Sequence, residues 1–168
     1  MSISIREERS GDAAAIEAVT VAAFRHAAHR SGTEHAIVNA LRRDNALSVS
    51  LVAESDGAVV GHVAVSPVAV SDGSQHWFGL GPISVLPEHQ SRGVGSALMQ
   101  AALEQLRQSG AEGCVLLGDP DYYHRFGFAP VPGLILPGVP PEYFQAIAFG
   151  PRIAQGIVQY HDAFDATG

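Results

Sequence analysis

Residues 81–99, Gly-Pro-Ile-Ser-Val-Leu-Pro-Glu-His-Gln-Ser-Arg-Gly-Val-Gly-Ser-Ala-Leu-Met, carry the densest chemistry of the chain. A strand-like run ends at Leu86, Pro87 breaks it, and Gly93 and Gly95 fall in the first turn of a long helical pattern. Glycines there let the backbone approach a bulky anion, while the free N–H groups of the first turn and the positive end of the helix dipole attract negative charge. A pyrophosphate suits such a place, and Arg92 adds a charged fork beside it. Two common phosphate motifs are not met. The dinucleotide fingerprint needs a third glycine where Leu98 stands, and a Walker loop needs a lysine, whereas all 10 cationic residues are arginine.

A second group follows about thirty residues later, Tyr122-Tyr123-His124-Arg125-Phe126-Gly127-Phe128. Two phenols in a short helical stretch are either packing residues or a positioned proton donor. The 8 histidines show no metal-ligand spacing; His26 and His29 share a helix face but have no carboxylate pattern beside them, so no metal is expected. Cys114 lies in an apolar run and reads as a buried, inert thiol.

The elements that must position these residues are legible in outline. Residues 2–6 alternate polar and apolar as a half-buried strand does, and Asp12 is placed to cap a helix carrying Ile16, Val19, Ala23 and Phe24. Ser31-Gly-Thr-Glu34 matches a capping box opening a second helix with Ile37, Val38 and Leu41 on its buried stripe. From residue 48 the period changes to two, with Asp56-Gly57 and Asp72-Gly73 as turns, which predicts an antiparallel meander over residues 48–54, 58–70 and 75–86. Gly79, Gly81 and Pro82 interrupt its third strand and mark a bulge or a place where the ladder parts. A helix over 97–108 offers a broad apolar face, residues 113–117 form a short buried strand, and residues 122–126 make one or two helical turns. In the Pro- and Gly-rich tail, strands are expected at 133–136 and 157–160.

Length and composition bound the class. The 168 residues suit a single domain, with a motif-bearing part over about 3–130 and C-terminal strands and loops over 131–168. With 46% apolar and 16% charged residues, the chain has what it needs to build a core. The net charge of −7 argues against a phosphate-backbone binder, so no nucleic-acid partner is expected. A single cysteine, no run approaching the roughly 20 apolar residues of a spanning helix, and Arg6-Glu-Glu-Arg9 where a signal peptide is apolar together predict a cytoplasmic protein without membrane association.

Gln90, Gly93 and Gly95 occupy the three defined positions of the Arg/Gln-x-x-Gly-x-Gly/Ala acyl-CoA motif, and residues 83–87 look like the strand-then-proline lead-in to it. Tyr122-Tyr-x-x-x-Gly-Phe128 is similar to the Phe-Tyr-x-x-x-Gly-Phe ending of the same family. On these two motifs, in this order and spacing, the chain resembles the GNAT superfamily of N-acetyltransferases, in particular a bacterial branch labelled predicted N-acetyltransferase. The resemblance implies a mixed α/β fold with a mostly antiparallel sheet that parts at the cofactor site and is flanked by helices. It implies acetyl-CoA as donor and direct transfer of acetyl to a primary amine of a small molecule or peptide. The pantetheine arm would lie in the gap, bonding to backbone at Ile83, Ser84 and Val85 like an added strand. The diphosphate would rest on the amides of Ser91, Arg92, Gly93, Val94, Gly95 and Ser96, with Gln90 also among the cofactor-binding residues. The Val85 N–H would stabilise the oxyanion and Tyr123 would protonate the departing thiolate, with Tyr122 structural.

The lead-in strand carries no glutamate, so the base is left among His76, Asp119, Glu34 and a water relay. Two rival readings are a non-catalytic acyl-CoA sensor and a transferase acting on charged tRNA, the latter opposed by the charge. The acidic surface favours a cationic acceptor. A homodimer is compatible with the family. Without lysine, the protein has no side-chain amine of its own to acetylate.

Overall fold

A computed structural model describes residues 2–25 and 32–166. The proposed capping box at Ser31 and the His26/His29 pair extend outside the described residues. The order is β1 (Ile3–Glu7), α1 (Ala13–Phe24), α2 (Glu34–Arg43), β2 (Val49–Ser55), β3 (Ala58–Val70), β4 (Trp77–Val85), α3 (Val94–Gln108), β5 (Gly113–Leu117), α4 (Pro120–Tyr123), β6 (Leu134–Ile135), β7 (Phe144–Ala148) and β8 (Gly156–Tyr160).

The strands run β1-β2-β3-β4-β5-β7, antiparallel everywhere except the parallel β4–β5 pair, and β8 joins the far end of β3 and carries β6 on its other side. Asp56 and Gly57 both adopt positive φ, the geometry of the tight hairpin turn their sequence predicts between β2 and β3. The sheet is covered on both faces. Leu51, Ala53, Val63 and Val65 pack against Leu98, Met99, Ala102 and Leu106 of α3, while Val52, on the opposite face of β2, meets Ile16 of α1 and Val38 of α2. Alternate residues of one strand thus enter two separate cores, which is why β2 reads as almost continuously apolar.

The structure departs from the sequence pattern in three places. Asp12 does not cap α1 with its side chain; its carboxylate takes the Arg6 guanidinium and the Arg9 N–H, and Arg6 holds it down to about 2. The strand expected over 133–136 shrinks to Leu134–Ile135, since Gly133 takes positive φ. Finally, β7 adds a strand where the sequence pattern predicts none. It pairs along the whole of β5 and buries Phe144, Gln145 and Ala146, so no alternation marks it.

One polar cluster lies inside the sheet. His62, fully buried on β3, has Nε2 2.8 Å from the Ser50 hydroxyl, whose oxygen is 2.6 Å from Glu8 Oε1; Glu8 pairs with Arg42 at 2.8 Å. Ser50 has one hydrogen and gives it to the carboxylate, so His62 donates from Nε2 and its buried Nδ1 has no partner among the described residues. Protonating Nδ1 would place an unpaired N–H in the core, and burial pushes the imidazole down to about 4. The unfolded chain therefore binds a proton that the folded chain rejects. Stability is full above the ordinary histidine value near 6.5 and falls as pH drops from there to about 4. Urea unfolding at pH 7 and pH 4.5 should show a loss on the order of 2–3 kcal/mol that His62→Gln removes; an equal pH dependence in the variant would contradict this account.

Candidate active site

The site begins where two strands separate. β4 and β5 pair only through Trp77, Phe78 and Gly79 opposite Gly113, Cys114 and Val115. Beyond this point Gly81 (φ 139) and Pro82, joined by a cis peptide bond, shift the register against β3, and β4 bends away while β5 continues beside β7.

The backbone of β4 beyond the bend faces two ways. The Leu86 N–H donates to Val60 C=O at 2.9 Å, and Val85 stands opposite Gly61 and Ser84 opposite His62. In an antiparallel ladder such pairs alternate, so the N–H groups of Ile83 and Val85 point away from β3, toward the gap. The Val85 C=O on that edge accepts the Gln90 side-chain amide at 3.0 Å, which ties the loop before α3 back to the strand.

That loop carries two left-handed residues, Ser91 (φ 63) and Gly93 (φ 84), the latter at the N-cap of α3. The first helical bond runs from Ala97 N–H to Gly93 C=O, so the helix claims none of the Val94, Gly95 and Ser96 amides. Left-handed residues alternating with others turn successive N–H groups into one concavity, the form in which backbone holds anions. A Cβ at Gly95 would make ordinary contact with the Tyr122 hydroxyl at 3.7 Å and Val85 at 3.9 Å, which puts the first turn of α3, the end of β4 and Tyr122 side by side.

The opposite wall is α4. β5 ends at Leu117, and Asp119 Oδ1 accepts the Asp121 N–H at 2.9 Å to start the short helix. Gly118 leaves the room that the Tyr123 ring occupies. Tyr122 and Tyr123 stand edge to face at 4.8 Å, and the Arg125 guanidinium lies 4.3 Å from the Tyr122 ring centre while its Nε donates to Tyr122 C=O. Burial, then the neighbouring Tyr122 and Asp119, hold the Tyr123 phenol above its ordinary range, so it keeps its proton at neutral pH.

The result is a cleft of 640 Å³ between β4, the start of α3, α4 and the end of α1. Of the expected residues, Ile83, Val85, Gln90, Ser91, Gly93, Gly95, Ser96 and Tyr123 line it. Ser84 and Val94 turn their side chains into the core, leaving only backbone near the cleft, and Arg92 is exposed and outside the lining. Among the described residues the cation on the cleft is Arg125, and Tyr122, Ala23 and Phe24 line it too. Of the three candidate bases, His76 precedes β4 at the end opposite the cleft and Asp119 is engaged in capping α4. Glu34 borders a neighbouring cavity.

Residues 6–128 match the sequence profile of the acetyltransferase (GNAT) family. The chain belongs to the GNAT family. A curated relative, the uncharacterized N-acetyltransferase YhbS of Escherichia coli K12, is 38% identical over 125 residues, covering 74% of this chain and 72% of YhbS. Among solved structures, a GNAT family acetyltransferase from Brucella melitensis in complex with acetyl-CoA is 51% identical, with a TM-score of 0.87 over 98% of this chain and 99% of that one. Escherichia coli YhbS in complex with CoA superimposes equally well, at 33% identity over 99% and 93% of the two chains. The mixed, mostly antiparallel sheet flanked by helices is the GNAT fold, and as a GNAT acetyltransferase the protein uses acetyl-CoA.

The cleft offers backbone N–H groups at the start of α3 at one end and an unpaired strand edge at the other. Gly95→Asp tests the cradle, because it sets a carboxylate among the free amides of the first turn of α3, where it repels a diphosphate. Acetyl-CoA affinity by calorimetry should drop by about tenfold or more; equal affinity in the two proteins would place the diphosphate elsewhere.

Proposed function

We propose that the protein transfers the acetyl group of acetyl-CoA directly to a primary amine, with Val85 and Tyr123 as its working groups. The observation that carries this reading is the Val85 N–H on the unpaired edge of β4, on the same cleft as the Tyr123 phenol. Acetyl-CoA supplies an activated acyl carbon with a thiol leaving group. The diphosphate is held by the amides of residues 91–96 with Arg125 beside them, and the pantetheine arm lies along the edge of Ile83 and Val85.

The amine reaches the cleft as the free base, its ammonium having given one proton to solvent. As its nitrogen bonds to the acyl carbon, charge builds on the carbonyl oxygen, where the fixed Val85 N–H donates; one such donor contributes roughly 3 to 4 kcal/mol. The C–S bond then breaks, and Tyr123 gives its proton to the sulfur. The nitrogen, still carrying a surplus proton, returns one to the phenolate, so the enzyme ends as it began. The high phenol value suits this order, because Tyr123 is protonated when the thiolate needs it.

The relatives support the donor: the Brucella melitensis enzyme was crystallised with acetyl-CoA and Escherichia coli YhbS with CoA. Tyr123→Phe tests the acid. It should reduce kcat by about 10²-fold while the calorimetric Kd for acetyl-CoA stays within about twofold. Unchanged kcat would remove Tyr123 from the proton path.

A further inference from the structure

Tyr123 stands on a segment whose two ends are stitched to one strand, β7. At the first end Gly118 gives its N–H to the Tyr143 C=O at 3.0 Å, just before β7, and its own C=O accepts the Gln145 side-chain amide at 3.0 Å. At the second end Ala129 and Ala146 exchange both backbone hydrogen bonds, at 3.2 and 2.9 Å, and a Cβ at Gly127 would meet Ile147 Cδ1 at 2.9 Å. Between these ends the Tyr123 ring lies so close upon Gly118 that a Cβ there would overlap the ring edge. Gln145 itself is fully buried, and its Oε1 has no partner among the described residues. A carbonyl only accepts, so the amide nitrogen must face Gly118 and the oxygen is left over. Burying a polar atom without a partner costs stability, and an unbranched apolar side chain of the same length would avoid that cost. What the amide adds at this position is its one bond to the residue on which the Tyr123 ring rests.

We propose that Gln145 is a positioning residue for the proton donor: by fixing the Gly118 carbonyl it sets where the Tyr123 hydroxyl stands in the cleft. The inference rests on the reading of Tyr123 as the acid and adds the residue that holds it in place. Gly118 lies between β5 and α4, and glycine is the residue least able to keep one backbone conformation by itself. Its N–H belongs to the peptide plane before it and its C=O to the plane after it. The bonds to Tyr143 and Gln145 therefore hold both planes, and neither φ nor ψ can change without breaking one of them. Asp119 starts α4 one residue later, so a rotation at Gly118 would swing the short helix and its phenol together. Without the Gln145 amide, the plane between Gly118 and Asp119 loses its anchor on β7, and the ring loses its fixed seat.

The test removes the donor and keeps the volume. Gln145→Met is compared with the wild-type enzyme, and again in a Tyr123→Phe background. Release of CoA from acetyl-CoA, with hydroxylamine as a small acceptor that is already a free base at neutral pH, gives kcat, and calorimetry gives acetyl-CoA affinity. Gln145→Met should lower kcat by about tenfold and leave the acetyl-CoA Kd within about twofold. Gly118→Ala, whose methyl displaces the ring directly, should lower kcat by about tenfold or more. In the Tyr123→Phe background Gln145→Met should cost less than about twofold, since the group it positions is gone. A second readout needs no turnover. The 13Cζ resonance of Tyr123, assigned by its absence in Tyr123→Phe, should titrate at lower pH in Gln145→Met, because a ring that leaves its seat gains water around its phenol. An unchanged kcat, an unchanged titration, an equal loss of kcat in both backgrounds, or loss of acetyl-CoA binding together with kcat would each overturn the assignment. The reading of Tyr123 as the acid fails separately, in a Tyr123→Phe enzyme that keeps the wild-type kcat.

Discussion

The molecule depends on a ladder that stops. β4 and β5 are hydrogen-bonded over three residue pairs and then separate, although both strands continue, and the sequence enforces this with Gly81-Pro82 in the third strand of an otherwise regular meander. Proline donates no hydrogen bond and is tolerated within a strand at a bulge, and Pro82 stands at the bulge of β4 just beyond its last pair with β5. The separation does two things at once. It frees the amides of Ile83 and Val85, which a closed sheet would consume, and it opens space on both sides of the bend, the 640 Å³ donor cleft and the 460 Å³ cavity behind it.

An open sheet is stable only if the surrounding structure fixes the two diverging edges. β7 does this for β5, pairing with it from Gly113 to Leu117, and Gln145 reaches from β7 to the Gly118 carbonyl at 3.0 Å. β3 does it for β4, and the Gln90 amide closes the loop onto Val85. The edge proposed to receive the donor is therefore held by paired neighbours and remains unpaired itself, the preorganisation that electrostatic catalysis requires. The proposed anion cradle follows the same economy: among the described residues it is backbone with Arg125 beside it, in a chain of net charge −7.

Much of this was legible in the sequence, for physical reasons that differ from element to element. The Asp56-Gly57 turn, the period-two runs and the apolar face of α3 are local signals, and the structure follows them. The strand parting was readable because glycine and proline carry backbone meaning wherever they stand. β7 was not readable, because Phe144-Gln-Ala-Ile-Ala148 is buried without alternation and follows a Pro- and Gly-rich stretch. Among site residues, proximity along the chain misled. Arg92 adjoins the glycines yet points to solvent, whereas Arg125, 33 positions later, lines the cleft because α4 folds back across the start of α3. Only a tertiary contact could reveal it, as it did the cavity in which Leu80, Pro82 and Leu117 meet the tail residues Leu136 and Phe164.

The central claim is that a free strand edge receives the acyl donor, and a crystal structure of the enzyme with acetyl-CoA tests it most directly. The account predicts the thioester carbonyl oxygen within about 3.2 Å of the Val85 nitrogen, with the diphosphate on the amides of residues 91–96. A donor bound outside the β4–β5 gap, or a Val85 amide hydrogen-bonded to protein in that complex, would contradict it.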